Sequence, residues 1–95
     1  MRRKDYKENL LKQLEDPNFR REWEMLDPEI QIVCTMLENR KKKGITQVQL
    51  ADSSGVTQAD ISRIEKGTAN PSLRTLKRLA EGMGMRLKLE FVDMQ

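Results

Sequence analysis

Gln58, Ala59, Ser62 and Arg63 stand at spacings of one, four and five, so a helix through them would gather all four on one face. Their types suit the edges of DNA bases. A glutamine amide carries the donor and acceptor that pair with an adenine edge, and an arginine fork fits the two acceptors of guanine. A serine hydroxyl serves either base, and an alanine leaves room for a thymine methyl. Asp60, one turn before Arg63, is a competing partner, so a surface ion pair stands beside base reading as an account of Arg63.

A second set, Lys43, Gln47, Thr57, Lys66 and Asn70, has the chemistry of phosphate contacts. Gln47 and Thr57 fall at expected helix N-termini, where backbone amides favour an anion, and the other three lie around the rim. Each also has a plainer role. Gln47 can face solvent, Thr57 can serve as a cap, Asn70 can shape the loop before Pro71, and Lys43 and Lys66 can serve solubility.

The charge supports a basic centre. Residues 1–29 carry seven basic and eight acidic side chains, residues 30–84 carry nine and five, and residues 85–95 carry two of each. The excess of the net +3 therefore lies in the middle, in the run Arg40, Lys41, Lys42, Lys43 and the group Arg74, Lys77, Arg78. A basic folded segment is the electrostatic footprint of a phosphate-binding surface, although such a run is also the ordinary form of a solvated helix face.

Catalysis has little to stand on. The chain has no histidine, and its one cysteine, Cys34, sits among Ile32, Val33, Met36 and Leu37, which reads as a core position. No glycine-rich phosphate loop and no convincing carboxylate pair is present. No enzymatic activity, metal or cofactor is expected. A lone cysteine fits a reducing cytoplasm; Asp5, Tyr6, Lys7 and Glu8 interrupt any signal-like start, and no segment reaches membrane-spanning length.

The elements that must position these residues are written in cap grammar. Ile45-Thr46 followed by Gln49 and Leu50 is a capping box with a hydrophobic staple, predicting a helix from Gln47 to about Ser53. Eleven residues on, Val56-Thr57 with Asp60 and Ile61 repeats the arrangement, and Gly67 closes that helix at Lys66. Ser54-Gly55 supplies the turn between them. Helix, glycine turn and helix in about twenty residues is the helix-turn-helix motif.

A longer helix precedes the pair, opened by Asp27 and Pro28, with Ile30, Val33, Cys34 and Leu37 facing inward, and ended by Gly44. A fourth is capped by Ser72, carries Leu73, Leu76, Leu79, Ala80 and Met83 on one face and stops near Gly82 and Gly84. Four such helices can enclose a core of Leu50, Ile61 and Ile64.

Both ends read as protein-contact segments. From Met85 the period becomes two, with Leu87, Leu89 and Phe91 alternating against Arg86, Lys88 and Glu90, which predicts a single C-terminal β-strand. Nothing else in the chain can pair with it, so a second copy or another protein is expected to do so. At the front, Tyr6, Leu10 and Leu14 form one helical stripe and Phe19, Trp23 and Leu26 another, either packed on the core or offered to a partner. Apolar content of 37% against 35% charged also favours a core completed by a dimer or complex.

The residues Thr46-Gln47, Leu50-Ala51, Gly55-Val56, Ile61-Ser62-Arg63-Ile64-Glu65, Gly67 and Asn70-Pro71-Ser72 together resemble the phage-repressor, or Xre-type, helix-turn-helix family over about residues 30–84. The flanks, Leu14 to Arg20 and Arg86 to Phe91, are similar to HigA-type antitoxins. The resemblance implies a mainly α, lambda-repressor-like domain with N-terminal helices and a single C-terminal strand. The second motif helix would enter the major groove of a palindromic operator, bound by a homodimer. The partner implied is a HigB toxin, a RelE-like ribonuclease that cuts messenger RNA. The chain then divides into a partner-binding segment at 1–29 with Leu14, Phe19 and Trp23, a DNA-binding domain at 30–84, and a pairing segment at 85–95 with Leu87, Leu89 and Phe91. Two other readings stand against the antitoxin: a free-standing repressor without a toxin, and a pure protein inhibitor whose helical domain is only a scaffold.

Overall fold

The computed structural model describes residues 27–94. The helices expected around Leu14, Phe19 and Trp23 lie outside the described residues. Within them, four α-helices follow in order: α1 (Pro28–Lys43), α2 (Gln47–Ser54), α3 (Gln58–Glu65) and α4 (Leu73–Gly82).

Each helix begins where a side chain can satisfy an orphan amide. The Asp27 carboxylate accepts from the Glu29 amide at 2.9 Å, ahead of Pro28. The Thr46 hydroxyl accepts from the Gln49 amide at 3.0 Å while Gln49 Oε1 accepts from the Thr46 amide at 2.9 Å, closing the capping box. Thr57 and Ser72 accept from the Asp60 and Thr75 amides, each at 3.1 Å. At its far end α1 stops at Gly44, whose φ of +64° lets the Ile45 amide turn back to the Arg40 carbonyl at 3.1 Å.

The core forms where these short helices cross. Met36, Leu50, Val56, Ile61, Ile64, Leu79 and Met83 make one buried cluster, with Ile32, Ile45, Ala51 and Ala69 packed against it. Helix α2 lies at the centre and touches both α3 and α4, and α1 covers α3. Burying side chains such as Leu50 and Ile61, both fully inaccessible, contributes roughly 1.5–3 kcal/mol each. Where α4 ends it runs hard against α2: a Cβ built at Gly82 would stand 2.8 Å from Ser54 Cβ, and Ser53 Oγ donates to the Gly82 carbonyl at 2.8 Å.

Three expectations change. Val33, Cys34 and Leu37 are buried, but Ile30 is 42% exposed, because the buried stretch of α1 starts one turn after its N-terminus. Leu73 is 54% exposed for the same reason: it is the first residue of α4 and borders an open cleft beside Met85 and Leu87. The single C-terminal β-strand is absent among the described residues. A strand exists by its ladder, and after the Met85 amide bonds the Ala80 carbonyl at 2.8 Å, no backbone hydrogen bond among the described residues involves 86–94.

Candidate nucleic-acid interface

The site is assembled by the turn between α2 and α3. Gly55, at φ +75°, directs its amide to the Ala51 carbonyl at 3.0 Å, and the next amide, of Val56, donates to Ser54 Oγ at 3.1 Å. Val56 then enters the core and Thr57 caps α3. With Ile61, Ile64 and Glu65 buried, the opposite face of α3 must look outward. Gln58, Ala59 and Arg63 are exposed there and Ser62 is half-buried, so the four residues expected to read bases share one helix and its outer side.

Arg63 already holds a partner: its guanidinium contacts the Asp60 carboxylate one turn back, with the two side chains 59% and 46% exposed. That guanidinium, and secondarily the Thr57 hydroxyl, hold the Asp60 carboxyl below its ordinary range. Base reading and the ion pair are therefore compatible alternatives for one solvated side chain.

The phosphate set is more divided. Lys43 is exposed at the last residue of α1, in a turn carrying Arg40, Lys41 and Lys42 as well, where cations complement the helix dipole. Thr57 is exposed at the cap of α3, Lys66 half-buried at its end, and Asn70 exposed in the loop to α4. Gln47 is half-buried in the first turn of α2, with its amide nitrogen donating to Glu65 Oε1 at 3.0 Å.

That bond belongs to a network the sequence reading missed. Arg40, read there as part of a basic run, grips Glu65 through Nε at 2.6 Å and a terminal nitrogen at 2.9 Å. Its other terminal nitrogen donates to the Ile45 carbonyl at 2.8 Å. Glu65 is fully buried and the Arg40 side chain only 18% exposed, so this is a paired charge inside the fold. A signal was there: Glu65 stands four residues after Ile61 and one after Ile64, on the core face of α3. Lys42, by contrast, is 63% exposed and pairs with Glu38 one turn back at 3.3 Å.

Of the residues expected to contact proteins, Leu87 is half-buried, Leu89 is 67% exposed and Phe91 fully so. Leu14, Phe19 and Trp23 lie outside the described residues. Cys34 is buried against the core, and burial, helped by the nearby Glu38 carboxylate, pushes its thiol up. Among the described residues no three His, Cys, Asp or Glu side chains converge as metal ligands, and no helix is long and apolar enough to cross a membrane.

Comparison with known proteins agrees with this geometry. A helix-turn-helix family model matches residues 36–89. An uncharacterised HTH-type transcriptional regulator of Haemophilus influenzae is 40% identical over 60 residues, covering 63% of this chain and 61% of that protein. Antitoxin HigA1 of Mycobacterium tuberculosis is 34% identical over 74 residues, 78% of this chain and 50% of the relative. The immunity repressor protein of Bacillus phage phi105 is 38% identical over 48 residues, 50% of this chain and 33% of the repressor. The chain thus spans about half to three-fifths of the first two relatives. No solved structure matches it. With two capped helices joined at Gly55, a polar outer face on the second, and a family match across more than half of the sequence, the chain belongs to the helix-turn-helix family.

Proposed function

We propose that this protein is the antitoxin and autorepressor of a bacterial toxin-antitoxin pair. The observation that carries the reading is the extent of the antitoxin similarity. It runs over 74 residues, beyond the 36–89 span of the DNA-binding family, whereas the phage repressor match covers 48.

At the DNA, α3 enters the major groove N-terminal end first. Gln58 pairs with an adenine edge, Ser62 donates to or accepts from a neighbouring base, and Ala59 lies against a thymine methyl. Arg63 exchanges Asp60 for a guanine, each good bidentate pair being worth about 1–3 kcal/mol of discrimination. The first-turn amides of α2 and α3, with Gln47 and Thr57, hold phosphates, and Lys43, Lys66 and Asn70 do so at the rim. Only one hydrogen of the Gln47 amide group is used by Glu65, leaving the other for a phosphate oxygen. A homodimer places two such helices about 34–36 Å apart on a palindromic operator.

The toxin partner is a HigB or RelE-like ribonuclease, with Leu14, Phe19 and Trp23 as the contacts proposed for it. A tagged pull-down from the native host, analysed by mass spectrometry, tests this. A stoichiometric small basic protein whose messenger-RNA cleavage is suppressed by this chain is the expected result. Recovery of the chain with DNA alone would leave a free-standing repressor, the reading that the similarity to the phi105 repressor favours.

A further inference from the structure

We infer that residues 19–26 pack on the flank of α1 that carries Cys34 and Leu37, with Phe19, Trp23 and Leu26 as the side chains that cover it. The inference goes beyond the antitoxin reading. It gives Phe19 and Trp23 a place in the chain by itself, which a toxin taking them would first have to vacate.

The first observation is a buried flank that the central core does not account for. Cys34 is fully inaccessible and Leu37 only 4% exposed, yet neither belongs to the cluster around Leu50 and Ile61 or to the residues packed against it. Helical geometry puts Cys34 about 160° round α1 from Met36 and about 100° from Val33. Met36 enters the central cluster, and Val33 faces the turn after α3, its Cγ2 standing 3.7 Å from where a Gly67 Cβ would be. Arg40 is bound to Glu65 of α3. Helix α1 is therefore buried beyond the sides that these contacts occupy.

The second observation is that this burial is that of one chain alone, so the cover is neither a second copy nor another protein. The C-terminal segment does not supply it. Residues 85–90 border a cleft on another side of α1, with Thr35 and Asn39, and Leu89, Phe91, Val92 and Met94 are all well exposed. The residues before Asp27 are left.

Their pattern then selects 19–26. Phe19, Trp23 and Leu26 step by four and then three, as do Ile30, Cys34 and Leu37. As helical stripes both span about 10 Å. A chain that reverses at Asp27, which is extended ahead of Pro28, sets Leu26 towards the partly open Ile30, Trp23 over Cys34 and Phe19 over Leu37. The largest of these side chains thus meets the smallest. The stripe of Tyr6, Leu10 and Leu14 lies beyond the Asp16-Pro17 break and is left for a partner.

Cys34 is the single cysteine of the chain, so its reaction with the chromogenic disulfide dithiodipyridine reads the cover directly in the full chain. The wild-type thiol should react slowly. Phe19→Ala and Trp23→Ala should each speed the reaction about tenfold or more, whereas Tyr6→Ala and Leu10→Ala should leave it within about twofold. Hydrogen exchange separates a lifted cover from opening of the whole domain: the Leu50 and Ile61 amides should keep their protection in Phe19→Ala while the thiol reacts. Core amides that lose protection in step with the thiol would overturn the assignment. So would a thiol indifferent to both aromatic variants, or one accelerated equally by Tyr6→Ala. Any of these results would leave the antitoxin reading standing, since the pull-down tests that separately.

Discussion

Helix α3 carries two ion pairs of the same chemistry and opposite fates. On its inner side Glu65 is fully buried and held by two nitrogens of Arg40, which also binds the Ile45 carbonyl. On its outer side Asp60 and Arg63 pair in solvent, with more than half of the arginine exposed. The inner pair joins the end of α1, the start of α2 and the end of α3, so it fixes where the outer one stands. The outer pair can dissolve without moving a helix. Burial, not residue type, decides which arginine builds the fold and which stays in solvent.

The contrast can be broken most severely from inside. Glu65→Ala should cost about 3–5 kcal/mol in urea unfolding, because it leaves the Arg40 charge in the fold without its counter-ion. Replacing both partners with apolar residues of similar volume should recover most of that loss, which would show that the cost is the orphaned charge. Arg63→Ala should leave stability within about 0.5 kcal/mol yet lower operator affinity by about 1–3 kcal/mol, with little change on random DNA. Equal losses on both DNAs would remove its reading role and leave only the surface pair. Lys43→Ala is smaller still: it should weaken operator and random DNA alike and reduce the salt slope of binding by about one unit.

The smallest effect is titration of the outer pair. Because the Asp60 carboxyl is held below its ordinary range, its contribution is present above the unfolded-state pKa and disappears as pH falls through the lower folded value. Carboxyl NMR should show Asp60 titrating low in the intact chain and closer to an ordinary aspartate in Arg63→Ala, with the Thr57 hydroxyl retaining part of the shift. An unchanged titration would mean that the guanidinium does not hold the carboxyl in solution.

What the sequence made legible follows the range of each interaction. Thr46 with Gln49, Asp27 with Pro28, and Gly44 and Gly55 at helix ends act within a few residues, and these boundaries could be read directly. The outward face of α3 followed from its buried isoleucines. Glu65 was harder: its partner is 25 residues away, and a glutamate is ordinarily taken for a surface residue even when its position is on the core face. Ile30 and Leu73 keep the helical period but sit at helix ends, where the neighbouring helices no longer reach, and period alone does not report that. At 85–91 alternation is plain, but a ladder needs a second strand, and the described residues do not contain it.

The contact between Gly82 and Ser54 has a genetic consequence. Every single-base missense change of a glycine codon introduces a side chain, and here the first atom of any side chain would meet Ser54 Cβ at 2.8 Å and its Cα at 3.0 Å. Even Gly82→Ala, which intrinsic helix preference favours, should destabilise by about 1–3 kcal/mol through overpacking. In a saturation library selected for repression, position 82 should therefore be depleted of every replacement, the larger side chains most, while replacements of Ala59 on the outer face change the preferred operator instead.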